Sequence, residues 1–583
     1  MLYEELEPGI NPLGRENKII FATGPLTSYQ VPGGGSIEIC FKSPLTNGWG
    51  EARCGGNFGP DLKRAGYDYI IFEGKSPNPV YIYINDDKIE FKDASHLMGR
   101  MVSEKIKIIR KELNEGNISI MSIGVAGENL VKFATVMNEE RAAGRWGGGA
   151  VMGSKNLIAV AVKGSGKQEA MGSDNFKEAL KDIVKVLRNN ETVKGFKEFG
   201  TIGDMPTVDT DGDWPTKNWQ SNSWGKGQEL FDHYDKNNYI TNKMCYKGCP
   251  IACGRIVHVK EGKFQTPQHE GAEYESVSAF TAFVLNEDVD AAIHSSYLCN
   301  EFGIDTISTG AVIAFAMECY ENKLLSTEQI ACLDLSWGNA EVLPVLVEMI
   351  SKREGLGNLL AEGVMRAAKQ LGPEAEEYAI HCKGLEGPAH DPRSGKLLAI
   401  TYGTANRGMC HIHPLEGMAY DSGKTDWGMM AYGVPDPNEI DRWDEKGKGA
   451  ITKILQDGLI LPDILGVCKF FMYAGLTLEH YAKILSALTG MSINGKELVK
   501  IGERVSNLQR LFNNREGIGR QEDLIPERVK QKPLFGFYQN EERCAIKDFE
   551  SMLEEYYQAR GWDPLTGIPK KEKLVELGLV LDE

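Results

Sequence analysis

Long apolar runs are missing from this 583-residue chain. Its most apolar stretches, such as 459–465, are broken by Pro462 and Asp463, so none approaches the roughly 20 apolar residues that cross a bilayer. No signal-peptide pattern opens the sequence, and a cytoplasmic protein is expected. Cysteine is scarce: 12 residues are too few for a disulfide scaffold, and their clustering points to a reducing compartment. Positive charge is outnumbered, 65 Lys and Arg against 82 Asp and Glu, and the net charge of −17 argues against a nucleic-acid partner. Internal repeats, low-complexity tracts, a phosphate-loop lysine motif and a dinucleotide fingerprint are all lacking. With 42% hydrophobic and 25% charged residues, what is left is an ordinary globular chain. Its length predicts about two to four domains with substantial cores.

What is there is a sulfur-rich run. Cys245, Cys249 and Cys253 are spaced by threes, with Gly248 and Pro250 between them, and Cys468 lies far downstream in Asp-Ile-Leu-Gly-Val-Cys-Lys (463–469). Glycine and proline let backbone curl around a cubane, which suggests a [4Fe–4S] site with one remote ligand. Two other readings stay open. Structural zinc also favours cysteines separated by two to four residues, and positions i, i+4, i+8 would share one face of a helix as plain packing, although Gly248 and Pro250 weaken such a helix. A radical-SAM run would be spaced three then two, which this run is not.

The first third reads as β-rich. Residues 80–84 and 89–91 flank a turn-like break at 85–88 and predict a hairpin. Residues 69–72, 118–123 and 157–162 predict further strands. Ser103 is expected to cap a helix carrying Ile106, Ile109 and Leu113. Glycine runs at 33–35 and 147–149, with Gly55 and Gly56, could turn the chain or present amides to an anion. A linker is expected at 164–169. Beyond it the pattern is helical: Leu343, Leu346, Val347 and Ile350 form one stripe. Leu360, Val364, Ala367 and Leu371 form the next, ended by Gly372 and Pro373. Polar islands at 273–276, 300–305, 391–393 and 407–413 look like one site gathered from several helix ends.

The whole chain resembles the aldehyde ferredoxin oxidoreductase family of tungsten bis-pterin enzymes. The resemblance rests on Glu-Asn-Lys-Ile-Ile-Phe-Ala-Thr-Gly-Pro-Leu-Thr (16–27), Lys-Ser-Pro-Leu-Thr (42–46), Ala-Gly-Glu-Asn-Leu-Val-Lys-Phe-Ala (126–134) and Arg-Ala-Ala-Gly-Arg (141–145). It continues through Gly-Ala-Val-Met-Gly-Ser-Lys-Asn (149–156), Glu-Tyr-Glu-Ser (273–276), Gly-Ile-Asp-Thr-Ile-Ser-Thr-Gly (303–310), Arg-Gly-Met-Cys-His (407–411) and Ile-Gly-Glu-Arg (501–504). It implies an α+β fold: a β-rich base (1–166), a helical domain with the cluster run and first pterin loop (167–378), and a helical domain with the active-site histidine and second pterin loop (379–583). The cofactor would sit between them.

The resemblance also implies roles. Cys245, Cys249, Cys253 and Cys468 would hold one [4Fe–4S] cluster. Asn300, Gly303, Ile304 and Asp305 would form one pterin loop, and Asp463, Gly466 and Val467 the other, a short acceptor side chain meeting pterin amino groups. Arg141 would contact phosphate, and the carbonyl of Ala142 would bind the Mg²⁺ linking the pterin phosphates. Glu275 and an imidazolium at His411 would be the acid–base pair. The expected reaction is tungsten- or molybdenum-dependent oxidation of an aldehyde, with ferredoxin or an iron–sulfur partner subunit taking electrons. Rivals are a reductive member, such as the catalytic subunit of a benzoyl-CoA reductase complex, and a non-catalytic iron–sulfur carrier.

The chain departs from the family pattern in places. The cluster run has Lys247 and Gly248 where one residue is expected. Ser36 stands where an arginine is expected, and Arg53 replaces an asparagine and could restore the charge. The Glu-x-x-His motif of a dimer-interface iron reads His-Ser-Ser-Tyr (294–297), so that iron is expected to be absent, although an oligomer stays possible. Met1 falls inside the family's first domain, so several first strands are expected to be missing, through a displaced start or a partner that supplies them. Such a sheet edge must be covered.

Overall fold

The computed structural model describes residues 1–167, 173–415 and 417–579. Two sheets form the first part. Strands β1 (Ile19–Thr23), β2 (Ile37–Lys42), β3 (Trp49–Cys54) and β4 (Tyr69–Phe72) make an antiparallel sheet in the order β3-β2-β1-β4. Ile19, Phe21, Ile37, Ile39 and Phe41 are buried, as alternating β-branched and aromatic residues on an inner face should be. Phe21 meets Phe58 and Phe72 edge-on at 6.0 and 5.2 Å.

The second sheet has six strands: β5 (Val80–Asn85), β6 (Lys88–Asp93), β7 (Ser119–Ser122), β8 (Val136–Asn138), β9 (Arg141–Ala143) and β10 (Leu157–Lys163), in the order β6-β5-β10-β7-β8-β9. Only β5 and β10 pair in parallel. β10 runs through the middle and is buried from Leu157 to Val162, the unbroken apolar run of a strand covered on both faces. The hairpin expected at 80–91 is present, with Asn85 opposite Lys88 and Asp86 at φ 51°.

Two expectations need correcting. The helix α1 (Val102–Leu113) is capped by Met101, whose N–H is taken by Glu104 at 3.2 Å, while Ser103 lies inside the first turn with its N–H toward Glu301. The stripe 360–371 is two helices, Leu356–Leu360 and Val364–Leu371, because Gly363 at φ 82° breaks the run; Pro373 then opens a short helix of its own. Of the expected linker, residues 168 and 169 lie outside the described residues.

Beyond the sheets the chain is mostly helical. The helices that position the site are α2 (Tyr274–Phe280), α3 (Val289–Phe302), α4 (Thr306–Glu321) and α5 (Leu461–Leu465). One core joins α2, α3 and α4 to the base: Phe21, Ile120 and Val160 belong to the same buried cluster as Phe280, Ile293 and Phe315, while Leu461 and Leu465 of α5 share another with Leu26 and Val31.

Two glycine contacts fasten the helical part to the base. Gly24 directly follows β1 and lies against Leu465 and Gly466; Gly124 comes shortly after β7 and lies against Phe302 and Gly303. Gly303 and Gly466 end α3 and α5 in the left-handed region, at φ 68° and 74°. Backbone hydrogen bonds seal both seams: Leu26 N–H to Leu465 O at 3.1 Å, and Thr135 N–H to Gly303 O at 2.9 Å. A β-carbon on Gly24 or Gly124 would overlap the facing backbone. Gly124→Ala is therefore expected to cost about 1–3 kcal/mol of stability. Chemical denaturation of the purified variant would show it, and an unchanged midpoint would mean the seam is slack.

Candidate functional site

The cysteine run is the loop of a hairpin. Strands β11 (Tyr239–Lys243) and β12 (Gly254–Val257) pair antiparallel with Lys243 opposite Gly254, and β13 (His269–Glu270) pairs with β12. Residues 244–253 thus form the closing loop, with Gly248 at φ 92° and Ala252 at φ 45°. None of this loop is helical, which removes the reading of three cysteines on one helix face. The remote Cys468 packs against the same core as Cys245, Cys249 and Cys253.

The thiols feel one another. Cys249 is pulled below the usual thiol range by a hydrogen bond from Cys245, burial opposing and the amides of Ala252 and Ile251 helping. Cys245 is pushed up by giving that bond and then by burial. Burial raises Cys253, with Glu273 and Cys468 adding to it. Burial also raises Cys468, to about 11, with Cys245 next, against Arg53. Four sulfurs from two distant segments therefore converge, a soft donor set that suits zinc or an iron–sulfur cluster.

The glycine runs of the base serve this loop. Cys468 N–H donates to Gly33 O at 3.0 Å, and Tyr246 Oη accepts from Gly33 N–H at 2.5 Å. A side chain on Gly35 would strike the Tyr246 ring, and one on Gly55 would come within 3.4 Å of Cys245 Sγ. Close approach of backbone, rather than a turn alone, is what these glycines allow.

A cavity of about 320 Å³ brings together Arg53, Arg141, Ala142, Asn300, Ile304 and Asp305. Arg141 and the exposed Ala142 lie on β9, an edge strand. Asp305 caps α4, accepting from Ser308 N–H at 3.0 Å, and its own N–H is held by Phe133 O at 3.1 Å. Asp463, Gly466 and Val467 do not line this cavity but connect to it through Arg53, which pairs with Asp463 and donates to Val467 O. Arg53 also donates to Ser36 Oγ at 2.9 Å, so the two departures from the family pattern touch. Burial would raise Asp463, but Lys469, Arg53 and Arg407 outweigh it and hold this carboxyl down to about 2.

A second cavity of about 510 Å³ holds Glu275 and His411, with Cys253 in its wall; Arg141 and Glu273 line both cavities. Glu275 sits in the first turn of α2, and its Oε2 accepts from Ala389 N–H at 2.8 Å. Its Oε1 lies 3.5 Å from His411 Nε2 and 3.8 Å from His390 Nε2. The imidazolium expected at His411 is disfavoured: burial pushes its pKa well below the usual value, and His390, Arg145, Arg407 and Lys469 add to that. Burial therefore favours the neutral ring at His411.

Sequence reasoning missed two neighbours, His390 and Asp213. The His390 ring lies tilted at 4.9 Å from that of His411 and 5.3 Å from that of Tyr274, whose hydroxyl donates to Ala389 O at 2.6 Å. His390 Nδ1 lies 2.8 Å from Asp213 Oδ2. The only signal was the polar island at 391–393, which stops one residue short of His390; Asp213, after a helix ending at Asp211, had none.

Comparison with known proteins covers the whole chain. The family described as "Aldehyde ferredoxin oxidoreductase, N-terminal domain" matches residues 1–164, and "Aldehyde ferredoxin oxidoreductase, domains 2 & 3" matches residues 178–579. The chain is 40% identical over 590 residues to the tungsten-containing aldehyde ferredoxin oxidoreductase of Pyrococcus furiosus, covering 99% of this chain and 93% of that one. It is 39% identical over 591 residues to the same-named protein of Thermococcus kodakarensis, again covering 99% and 93%. Among solved structures it resembles the active site complex BamBC of benzoyl coenzyme A reductase with 1,5-dienoyl-CoA, at a TM-score of 0.83 and 27% identity over 99% of this chain and 91% of that one. The chain belongs to the aldehyde ferredoxin oxidoreductase family, a family of oxidoreductases.

Proposed function

We propose that this chain oxidises an aldehyde to the carboxylate with a tungsten or molybdenum bis-pterin, one [4Fe–4S] cluster and a Mg²⁺ between the pterin phosphates, and hands electrons to ferredoxin or an iron–sulfur partner subunit. One observation carries it: Cys253 and the Glu275–His411 pair face one cavity, and Arg141 and Glu273 join it to the cavity lined by Asn300, Ile304 and Asp305. An electron port, a cofactor bed and an acid–base pair are thereby contiguous.

The donor groups fit these cofactors. Four converging thiols suit the cluster. The left-handed Gly303 and Gly466, packed with no room for a side chain, let backbone come close to a flat ring system. Asn300, Gly303, Ile304 and Asp305 would hold one pterin, and Asp463, Gly466 and Val467 the other. Arg53 and Arg141 would meet phosphate, and the Ala142 carbonyl the hard cation. In this reading residues 1–166 are the base, with 167–378 and 379–583 closing over it.

The balance is R–CHO + H₂O → R–COO⁻ + 3 H⁺ + 2 e⁻. When bound, the tungsten–pterin group supplies the two-electron acceptor and the cluster the one-electron exit. Glu275 Oε1 takes a proton from water as its oxygen adds to the carbonyl carbon. Neutral His411 offers an N–H to the aldehyde oxygen as charge gathers there. The Ala389 amide keeps the Glu275 carboxylate turned to this task.

Elemental analysis of anaerobically purified protein tests the reading. About four irons and one tungsten per chain are expected; zinc without iron or tungsten would refute it. A reductive role is the second reading, supported by the structural likeness at a TM-score of 0.83. Aryl-CoA reduction by the loaded protein, with no aldehyde oxidation, would favour it. An iron–sulfur carrier would turn over neither substrate and would have no use for Glu275.

A further inference from the structure

Strand β6 is the outer edge of the six-stranded sheet, with β5 on one side and, among the described residues, no strand on the other. On β5, Ile82 and Ile84 are buried, while Phe91 and Ile89, their partners across the ladder, are 72% and 51% exposed. The apolar face of the sheet therefore runs past its last buried strand and ends in solvent. An edge of this kind is a template for a further strand.

The hairpin turn decides which backbone groups of that edge are free. Asn85 and Lys88 flank the two-residue turn Asp86-Asp87 and close it as a hydrogen-bonded pair. Bonded pairs then alternate along the ladder, Tyr83 with Glu90 and Tyr81 with Lys92. Lys88, Glu90 and Lys92 thus spend their N–H and C=O groups on β5, and those of Ile89, Phe91 and Asp93 point outward. A second copy of the strand can be laid antiparallel, with the two Phe91 residues facing each other across a two-fold axis. Free groups then meet free groups: Phe91 bonds Phe91, and Ile89 bonds Asp93 in both directions, about six hydrogen bonds in all.

Charge selects this register. It sets Glu90 opposite Lys92 of the second copy, twice, at the closer positions about 4.5 Å apart between Cα atoms. Centring the pair on Glu90 instead would set Glu90 against itself and Lys88 against Lys92. Lysines on an edge usually keep strands apart, but Glu90 and Lys92, which lie 2.6 Å apart within one strand, can each take the opposite charge of the facing copy. Side chains of Ile89 and Phe91 share one face of the strand, so the two Phe91 rings meet on the axis with Ile89 diagonal to them.

We propose that β6 pairs with β6 of a second copy of this chain, joining two six-stranded sheets through their edges. Each copy contributes one short strand, less than a standard interface buries, so the dimer forms and dissociates with concentration. Arg141 and Ala142 lie on β9, the opposite edge of the sheet, and β6 lines neither site cavity. The pairing is independent of the proposed reaction.

The test is the molar mass of the full chain, purified anaerobically with its cofactors, by sedimentation over a wide range of concentration. A rise from the 64.5 kDa of one chain toward twice that is expected. Phe91→Pro removes an N–H that β5 does not use, so it should leave the chain folded and monomeric. Phe91→Lys keeps every backbone group, sets like charges on the axis, and gives the same reading if the proline variant does not fold. Glu90→Lys alone, or Lys92→Glu alone, should weaken the dimer about 10-fold, and the two changes together should restore it. A wild type that stays at the mass of one chain throughout would overturn the proposal. So would a dimer indifferent to the Phe91 variants, or single charge reversals that bind as well as the double.

Discussion

Cys468→Ala is expected to lower iron from about four per chain to three or fewer and to remove measurable aldehyde oxidation. The fold should survive this change. The backbone N–H of residue 468 still reaches Gly33 O, the contact that docks its loop on the base, and the side chain lost is small. Arg53 still bridges Asp463 and the carbonyl of Val467. A thermal midpoint close to wild type, together with lost iron, would separate a missing ligand from a misfolded chain. Iron content and turnover both equal to wild type would remove Cys468 from the cluster. Of the four thiols this one is the most telling, because the other three share a single hairpin loop and would be neighbours under any reading.

Glu275→Gln is the second large effect. The amide oxygen can still accept from Ala389 N–H, so side-chain position should hold, while the group that takes a proton is gone. Turnover is expected to fall by ~100-fold or more, with tungsten and iron content unchanged and KM little altered. Steady-state kinetics beside elemental analysis would check this. Loss of metal along with activity would make Glu275 a structural residue instead, and full activity would remove it from the reaction.

Much of this was legible in the residues. Short β-branched and apolar runs gave β4, β5, β6, β7 and β10 nearly to the residue, β10 as an unbroken run because it is covered on both faces. The Cys245–Cys253 run and the motifs carrying the family resemblance pointed to the surroundings of the site. Other features were not legible. Ser103 looked like a cap, yet Glu104 reaches back to Met101 and starts the helix earlier. The apolar stripe from 360 to 371 kept helical spacing across Gly363, where the backbone breaks. Asp213 and His390 come from segments without periodicity and meet only through the tertiary fold. The neutral state of His411 depends on burial and on four neighbours distributed over the sequence from 145 to 469, which spacing alone cannot convey.

The paired glycine seams have a bearing on how the enzyme matures. Each of the two loops proposed to hold a pterin is complete only when a helix end has settled onto the β-base, and that join leaves no slack for even a methyl group. On the proposed reading, a large rigid prosthetic group would have to enter before these joins close, and once bound it would hold them shut.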